Sequence, residues 1–74
     1  MKLFAGLSRT DYQDILRALG AILDARGLRD VRIWEYEDGI LVQGRQPGVP
    51  EFETLTFTDA DLAGMLAEAY RRRA

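Results

Sequence analysis

The chain has 74 residues, of which 47% are hydrophobic and 30% charged, with a formal net charge of −2. This balance is typical of a folded domain, and the length suits one small domain covering residues 1–74. The absence of Cys and His excludes disulfides and the usual zinc ligands. The slight negative charge provides no overall basic field that would attract nucleic acid or an anionic membrane.

The first seven residues form a lead-in whose apolar run is too short for a signal peptide. No later segment reaches the roughly 18–20 apolar residues that span a bilayer. We therefore expect a cytoplasmic protein that does not enter a membrane. Leu3, Phe4 and Leu7 are expected to pack on the domain, and the pattern leaves open whether residues 2–4 form an edge strand.

A first helix is predicted from about Arg9 to Arg26. Ser8 is placed as its N-cap, with Asp11 three residues later as the acidic partner of a capping box. Gly27 is placed to end the helix in a left-handed conformation, and Leu28 to fold back on the last turn. The apolar stripe of this helix recurs at helical spacing. It consists of Tyr12, Ile15, Leu16, Leu19, Ile22 and Leu23.

The segment 31–45 is predicted to form a β-hairpin, because two runs rich in β-branched and aromatic residues flank Asp38-Gly39. Asp and Gly tolerate the positive φ angles of a type I′ turn. With these two residues at the turn, the register pairs Tyr36 with Leu41 and Trp34 with Gln43.

Pro47-Gly48 fits the centre of a type II turn, and residues 51–57 are predicted to form a third strand. A second helix is predicted from about Asp59 to Arg72, with Thr58 as its cap and Asp61 as the acidic third residue. The apolar stripe of the second helix consists of Leu62, Met65, Leu66, Ala69 and Tyr70. The order of elements predicts a two-layer α+β domain, α-β-β-β-α, with both helices on one face of a three-stranded antiparallel meander.

Both faces of the predicted sheet carry large apolar side chains, although two helices can cover only one of them. One face carries the compact residues Val31, Ile33, Ile40, Val42, Leu55 and Phe57. We favour this face as the one under the helices. The inverse arrangement buries Trp34, Tyr36, Leu41 and Phe52, and frees Glu35 and Glu37 into water.

The favoured arrangement leaves several hundred Å² of apolar surface exposed, which is at or above the largest patch typical of a monomer. We call this surface the open sheet face. Its residues are Arg32, Trp34, Tyr36, Leu41, Gln43, Arg45 and Phe52. Aromatic and Arg side chains dominate binding energy at protein interfaces, so these residues are a candidate interaction surface. The alternatives are an ordinary core and a surface that stacks on the bases of single-stranded nucleic acid.

The chain has few candidates for catalysis. It contains no His or Cys, and its only Lys is Lys2, so no nucleophile–base arrangement is available. Two groups of acidic side chains are candidates for a cation site or an acid–base pair, although solvated surface charge is the simpler interpretation. They are Glu35, Glu37 and Asp38, or Glu51 and Glu53. Arg71, Arg72 and Arg73 suit the negative end of a helix dipole, or alternatively a phosphate.

The sequence therefore predicts a small protein-interaction module that is not an enzyme. We expect it to form a homodimer, or to bind a small protein partner, through the open sheet face or a sheet edge. The alternative function is single-stranded nucleic-acid binding through the aromatic and Arg side chains of the sheet. No cofactor, metal, membrane or small-molecule substrate is expected.

Overall fold

A computed structural model describes residues 6–73, so the predicted packing of Leu3 and Phe4 and the question of a strand at residues 2–4 lie outside the described residues. The elements in chain order are α1 (Arg9–Ala25), β1 (Arg29–Tyr36), β2 (Gly39–Arg45), β3 (Glu53–Thr58) and α2 (Asp59–Arg73). The strands form one antiparallel sheet in the order β1-β2-β3. The predicted α+β fold with a three-stranded meander is confirmed.

The hydrophobic core lies between the two helices and one face of the sheet. The central strand β2 contributes Ile40 and Val42, which have no exposed surface. The rest of the core comes from both helices and the α1–β1 connection, and consists of Ile15, Leu19, Leu23, Leu28, Leu62 and Leu66. Each fully buried Leu or Ile contributes about 1.5–3 kcal/mol to folding. The helices therefore cover the face that the sequence favoured.

The ends of α1 follow the predicted capping chemistry. The Ser8 hydroxyl accepts a hydrogen bond from the Asp11 amide at 3.2 Å. At the other end Gly27 adopts a φ of 70°. The Leu28 amide then donates to the Leu23 carbonyl at 2.9 Å and the Gly27 amide to the Asp24 carbonyl at 3.0 Å. This pair of bonds is the Schellman motif.

Helix α2 begins with a reciprocal capping box. The Thr58 amide donates to the Asp61 carboxylate at 2.8 Å, and the Asp61 amide donates to the Thr58 hydroxyl at 3.2 Å. Each cap contributes about 1 kcal/mol. Because β3 ends at Thr58 and α2 begins at Asp59, this residue pair fixes the direction in which the chain leaves the sheet.

The predicted hairpin register is wrong by two residues. Tyr36 pairs with Gly39 and Trp34 with Leu41, so the loop consists of Glu37 and Asp38. Neither loop residue has a positive φ, which excludes the type I′ turn. The Asp38 carbonyl instead accepts a hydrogen bond from the Asp59 amide at 3.0 Å. A shift of two residues leaves the side chains of the regularly paired residues 32–36 and 40–43 on their predicted faces, because strand side chains alternate with a period of two.

Strand β1 contains a β-bulge that moves Val31 away from the core. The register shifts between Arg29 and Arg32, and Asp30 lies within this irregularity with a φ of 56°. Val31 follows directly and is exposed, although the sequence placed it among the core residues. On β2 the core position next to the bulge is Gly44, where an added Cβ would lie 2.9 Å from the Leu28 Cβ. Leu28 therefore occupies the space that Val31 was expected to fill.

Other predictions need smaller corrections. Strand β3 begins at Glu53 rather than at residue 51, so Phe52 directly precedes it. The turn at Pro47-Gly48 is confirmed: the Val49 amide donates to the Gln46 carbonyl at 3.0 Å, and Gly48 has a φ of 80°. Tyr70 was expected in the buried stripe of α2 but is exposed.

Candidate interaction surface

The strands place six of the seven predicted residues of the open sheet face on the side of the sheet away from the helices, and Phe52, which directly precedes β3, lies beside Arg32 and Arg45 on the same side. Antiparallel partners point to the same side of a sheet, and alternate residues share a face. From one end of the face to the other, the order is Tyr36, then Trp34 with Leu41, then Arg32 with Gln43, and last Arg45 with Phe52. The face therefore changes along the strand direction from an apolar end to a cationic end, and we call this change the grading of the face.

The apolar end of the open sheet face consists of Trp34, Tyr36 and Leu41. Trp34 is 46% exposed and Tyr36 is 40% exposed, while Leu41 on the neighbouring strand is partly buried. Together with Gln43 they line a shallow depression. The corrected register makes this end more compact than predicted, because Trp34 lies directly opposite Leu41 rather than opposite a polar residue.

The cationic end consists of Arg32, Arg45 and Phe52. Both guanidinium groups lie over the Phe52 ring, with the Arg32 Cζ at 5.1 Å and the Arg45 Cζ at 5.5 Å from its centroid. The Arg45 Nε also contacts the Asp30 carboxylate at 2.6 Å. In residues 6–73 no carboxylate forms an ion pair with Arg32.

The β3 side of the open face is polar. Thr54 pairs with Gln43 and Thr56 with Leu41, and the Gln43 amide nitrogen lies 3.2 Å from the Thr54 hydroxyl oxygen. The apolar side chains of the face are thus concentrated on β1 and β2. The β1–β2 loop, with exposed Glu37 and Asp38, closes the apolar end of the face. Neither carboxylate forms an ion pair within the part of the chain that the structure describes.

A polar cluster between the helices was not predicted from the sequence. Asp14 of α1 is only 5% exposed, and its carboxylate contacts the Arg73 guanidinium of α2 at 2.6 Å and that of Arg17 at 3.5 Å. The Tyr70 hydroxyl donates to the Asp11 carboxylate, and the Arg73 guanidinium lies 5.0 Å from the centroid of the Tyr70 ring. The available sequence signal is the pair of acids three residues apart at the edge of the apolar stripe of α1.

Electrostatics in this cluster follow from its contacts. The hydrogen bond to Asp11 raises the pKa of the Tyr70 hydroxyl above its ordinary value. The contact with Asp14 likewise raises the pKa of the Arg73 guanidinium. A Tyr70 pKa raised by folding stabilises the fold below pH 10, and this stabilisation is lost as the pH rises through the folded-state pKa. We interpret the cluster as a polar link between the C-terminal turn of α2 and the first turns of α1.

The three arginines at the end of α2 each contact a carboxylate of the chain. Arg73 pairs with Asp14, and both Arg71 and Arg72 contact Glu68 one turn earlier. The hydrogen bond from Arg71, followed by its positive charge, lowers the pKa of the Glu68 carboxyl. These contacts, together with the helix dipole, account for the basic run without a phosphate.

Two further searches concern metals and membranes. Among residues 6–73, no group of three or more acidic side chains is arranged to hold a metal ion. None of the helices in this described range combines the length and hydropathy needed to cross a membrane.

Comparison with known proteins gives no relative. No family model matches the chain, and neither the curated proteins nor the solved structures contain a significant match. The open sheet face is therefore the feature of the molecule that indicates a function.

Proposed function

We propose that the chain is a small non-catalytic interaction module that forms a homodimer in the cytoplasm through its open sheet face. The observation that carries the proposal is the exposure of Trp34, Tyr36 and Phe52 on one face while both helices are committed to the other. Large aromatic side chains with a polar edge lose little conformational entropy on binding and bury much area. Their concentration on one side of a 74-residue chain favours a docking role.

The size of the face limits the proposed dimer to weak, reversible association. A sheet three strands wide and seven residues long at its centre measures about 14 Å by 23 Å. Two such areas, one from each copy, amount to roughly 650 Å² of planar contact, which is less than the roughly 1,000 Å² that a stable specific interface buries and is typical of a weak, transient one. We therefore expect a dissociation constant in the micromolar range, with Trp34 near the centre contributing more than any other side chain.

The sheet edges support association less well than the face does. Strand β1 is interrupted by the bulge at Asp30 and carries the exposed charges of Arg29 and Arg32. Strand β3 begins at Glu53 and follows a loop with Pro50 and Glu51. Bulges, charges and Pro are the features by which sheet edges avoid pairing with another chain.

Nucleic-acid binding is the less well supported alternative. Arg32 and Arg45 over the Phe52 ring resemble the cation–aromatic stacks that hold bases, and Trp34 lies two residues from Arg32 on the same face. However, the net charge is −2, and Asp30 neutralises Arg45. One remaining cation provides little of the phosphate contact on which such binding depends.

Sedimentation equilibrium tests the proposal. The wild-type chain is expected to be monomeric below about 1 µM and largely dimeric near about 100 µM. Trp34→Ala should weaken the dimer by about tenfold or more, while costing about 1 kcal/mol or less of folding free energy, because Trp34 is already half exposed.

The control is Val49→Ala, which removes an exposed apolar side chain from the β2–β3 loop and should leave the dissociation constant unchanged. A wild-type chain that stays monomeric throughout this range would contradict the proposal. A dimer equally strong in Trp34→Ala would place the interface elsewhere, for example at a sheet edge.

A further inference from the structure

We propose that the second copy docks with its strands antiparallel to those of the first, about a twofold axis that crosses the strands near the Trp34–Leu41 pair. This inference rests on the proposed function and specifies the geometry of the dimer. It assigns Arg32 and the Glu37-Asp38 loop as the contacts that determine the orientation of the two copies.

The grading of the open sheet face is the basis of the inference. Along β1 the face presents Arg32, Trp34 and Tyr36 in turn, about 7 Å apart. The acidic loop follows directly after Tyr36. Along β1, Arg32 thus lies on one side of Trp34, and Tyr36 and the acidic loop lie on the other side.

A twofold axis parallel to the strands does not bring the cation of one copy close to the acids of the other. Such an axis places each end of one face over the same end of the other. The acidic β1–β2 loops of the two copies then lie at the same end of the interface, and like charges there disfavour binding. The outer strands exchange places, so β1 lies over the partner's β3 and Trp34 lies over the exposed Thr56.

A twofold axis across the strands reverses the strand direction and brings unlike ends together. Strand β1 then lies over the partner's β1, and Trp34 packs against the partner's Trp34 near the axis. Arg32 lies over the partner's Tyr36, next to the partner's acidic loop. A twofold axis produces the same contact a second time at the other end. Facing sheets pack about 10 Å apart, which Arg side chains from the face can cross.

Arg32 is the cation available for this contact. Arg45 is already paired with Asp30, whereas the Arg32 guanidinium lies over the Phe52 ring and forms no ion pair with a described carboxylate. The ring restrains the guanidinium before binding, so that less side-chain entropy is lost when a carboxylate arrives. Glu37 and Asp38 are exposed and lack an ion-pair partner within 6–73, so they complement Arg32 in charge.

A charge-exchange experiment tests the arrangement. The first variant is Arg32→Glu, and the second is Glu37→Lys with Asp38→Lys. Each variant alone brings like charges together at both ends, so each should dimerise about tenfold or more weakly than the wild type. In an equimolar mixture every acidic end meets a basic end, and a heterodimer should form with a dissociation constant within about threefold of the wild-type value.

Arg9→Glu serves as the control, because it makes the same charge change at an exposed site on the helical layer and should leave dimerisation unchanged. Sedimentation of the separate and mixed variants is the readout. If the wild-type dimer depends on Trp34 but the two charge variants associate no more strongly when mixed than when separate, the antiparallel arrangement is overturned. The proposed function is not contradicted by that result. A wild-type chain that remains monomeric overturns both.

Discussion

At the residue scale, position 39 requires Gly because the neighbouring strand leaves no space for a side chain, and not because of the turn that precedes it. A Cβ added at Gly39 would lie 2.0 Å from the Phe57 carbonyl oxygen, and the residue has a φ of 157°. Gly39 pairs with both Tyr36 and Thr58, so no side chain fits between the hairpin and β3. The Asp-Gly sequence therefore marks a close approach of two backbones.

Gly39→Ala is expected to destabilise the fold by roughly 3 kcal/mol or more, a large fraction of the stability of so small a domain. Chemical denaturation followed by circular dichroism measures the effect. Gly20→Ala is the matched control, because an added Cβ at this position in α1 meets nothing within 4 Å. In a helix interior this exchange should stabilise by about 0.5–1 kcal/mol. Equal effects of the two variants would contradict our account of Gly39.

Residue-level predictions succeeded where the physical cause is local. Ser8, Gly27 and Thr58 act within three or four residues of their own position, and the hydrogen bonds they make are those the sequence predicted. The prediction of the hairpin loop was wrong because the close contact at Gly39 comes from Phe57, which is distant in the chain. The prediction that Val31 is a core residue was wrong for a related reason, since Leu28 packs on Gly44 in its place.

At the element scale, the ion pair between Asp14 and Arg73 joins the two helices. Asp14 is the buried charged residue of the described core region, and its partner lies 59 positions away in the chain. The sequence could not predict this pair, because both residues also suit an exposed helix surface. The contact keeps the last turn of α2 beside α1, and Tyr70 with Asp11 extends the link.

Arg73→Ala is expected to lower the melting temperature by about 5 °C, because it leaves the buried Asp14 carboxylate with only the more distant Arg17. Arg72→Ala is the control, since Arg72 makes a weak and exposed contact with Glu68 at 3.5 Å. Thermal unfolding of the two variants measures the difference. A shift of the same size in both would show that the Asp14–Arg73 pair contributes no more than a surface ion pair.

At the scale of the whole molecule, the sequence predicted the fold class and the face that the helices cover. That prediction depended on the alternation of compact and aromatic side chains along the strands. An error of two residues in register does not change which face each of these side chains is assigned to. The grading of the open face was not predictable. It depends on the register that places Trp34 opposite Leu41 and on the contacts of Arg32 and Arg45 with the Phe52 ring.

The fluorescence emission of Trp34 during dilution shows whether a second copy covers the open sheet face. Trp34 is the only Trp in the chain and is 46% exposed in the single copy, so its emission reports on the open sheet face alone. We expect the emission maximum to move to longer wavelength on dilution from about 100 µM to about 0.1 µM, with the midpoint at the dissociation constant found by sedimentation. An emission maximum that stays constant while sedimentation records a dimer dissociating would contradict the claim that the second copy covers this face.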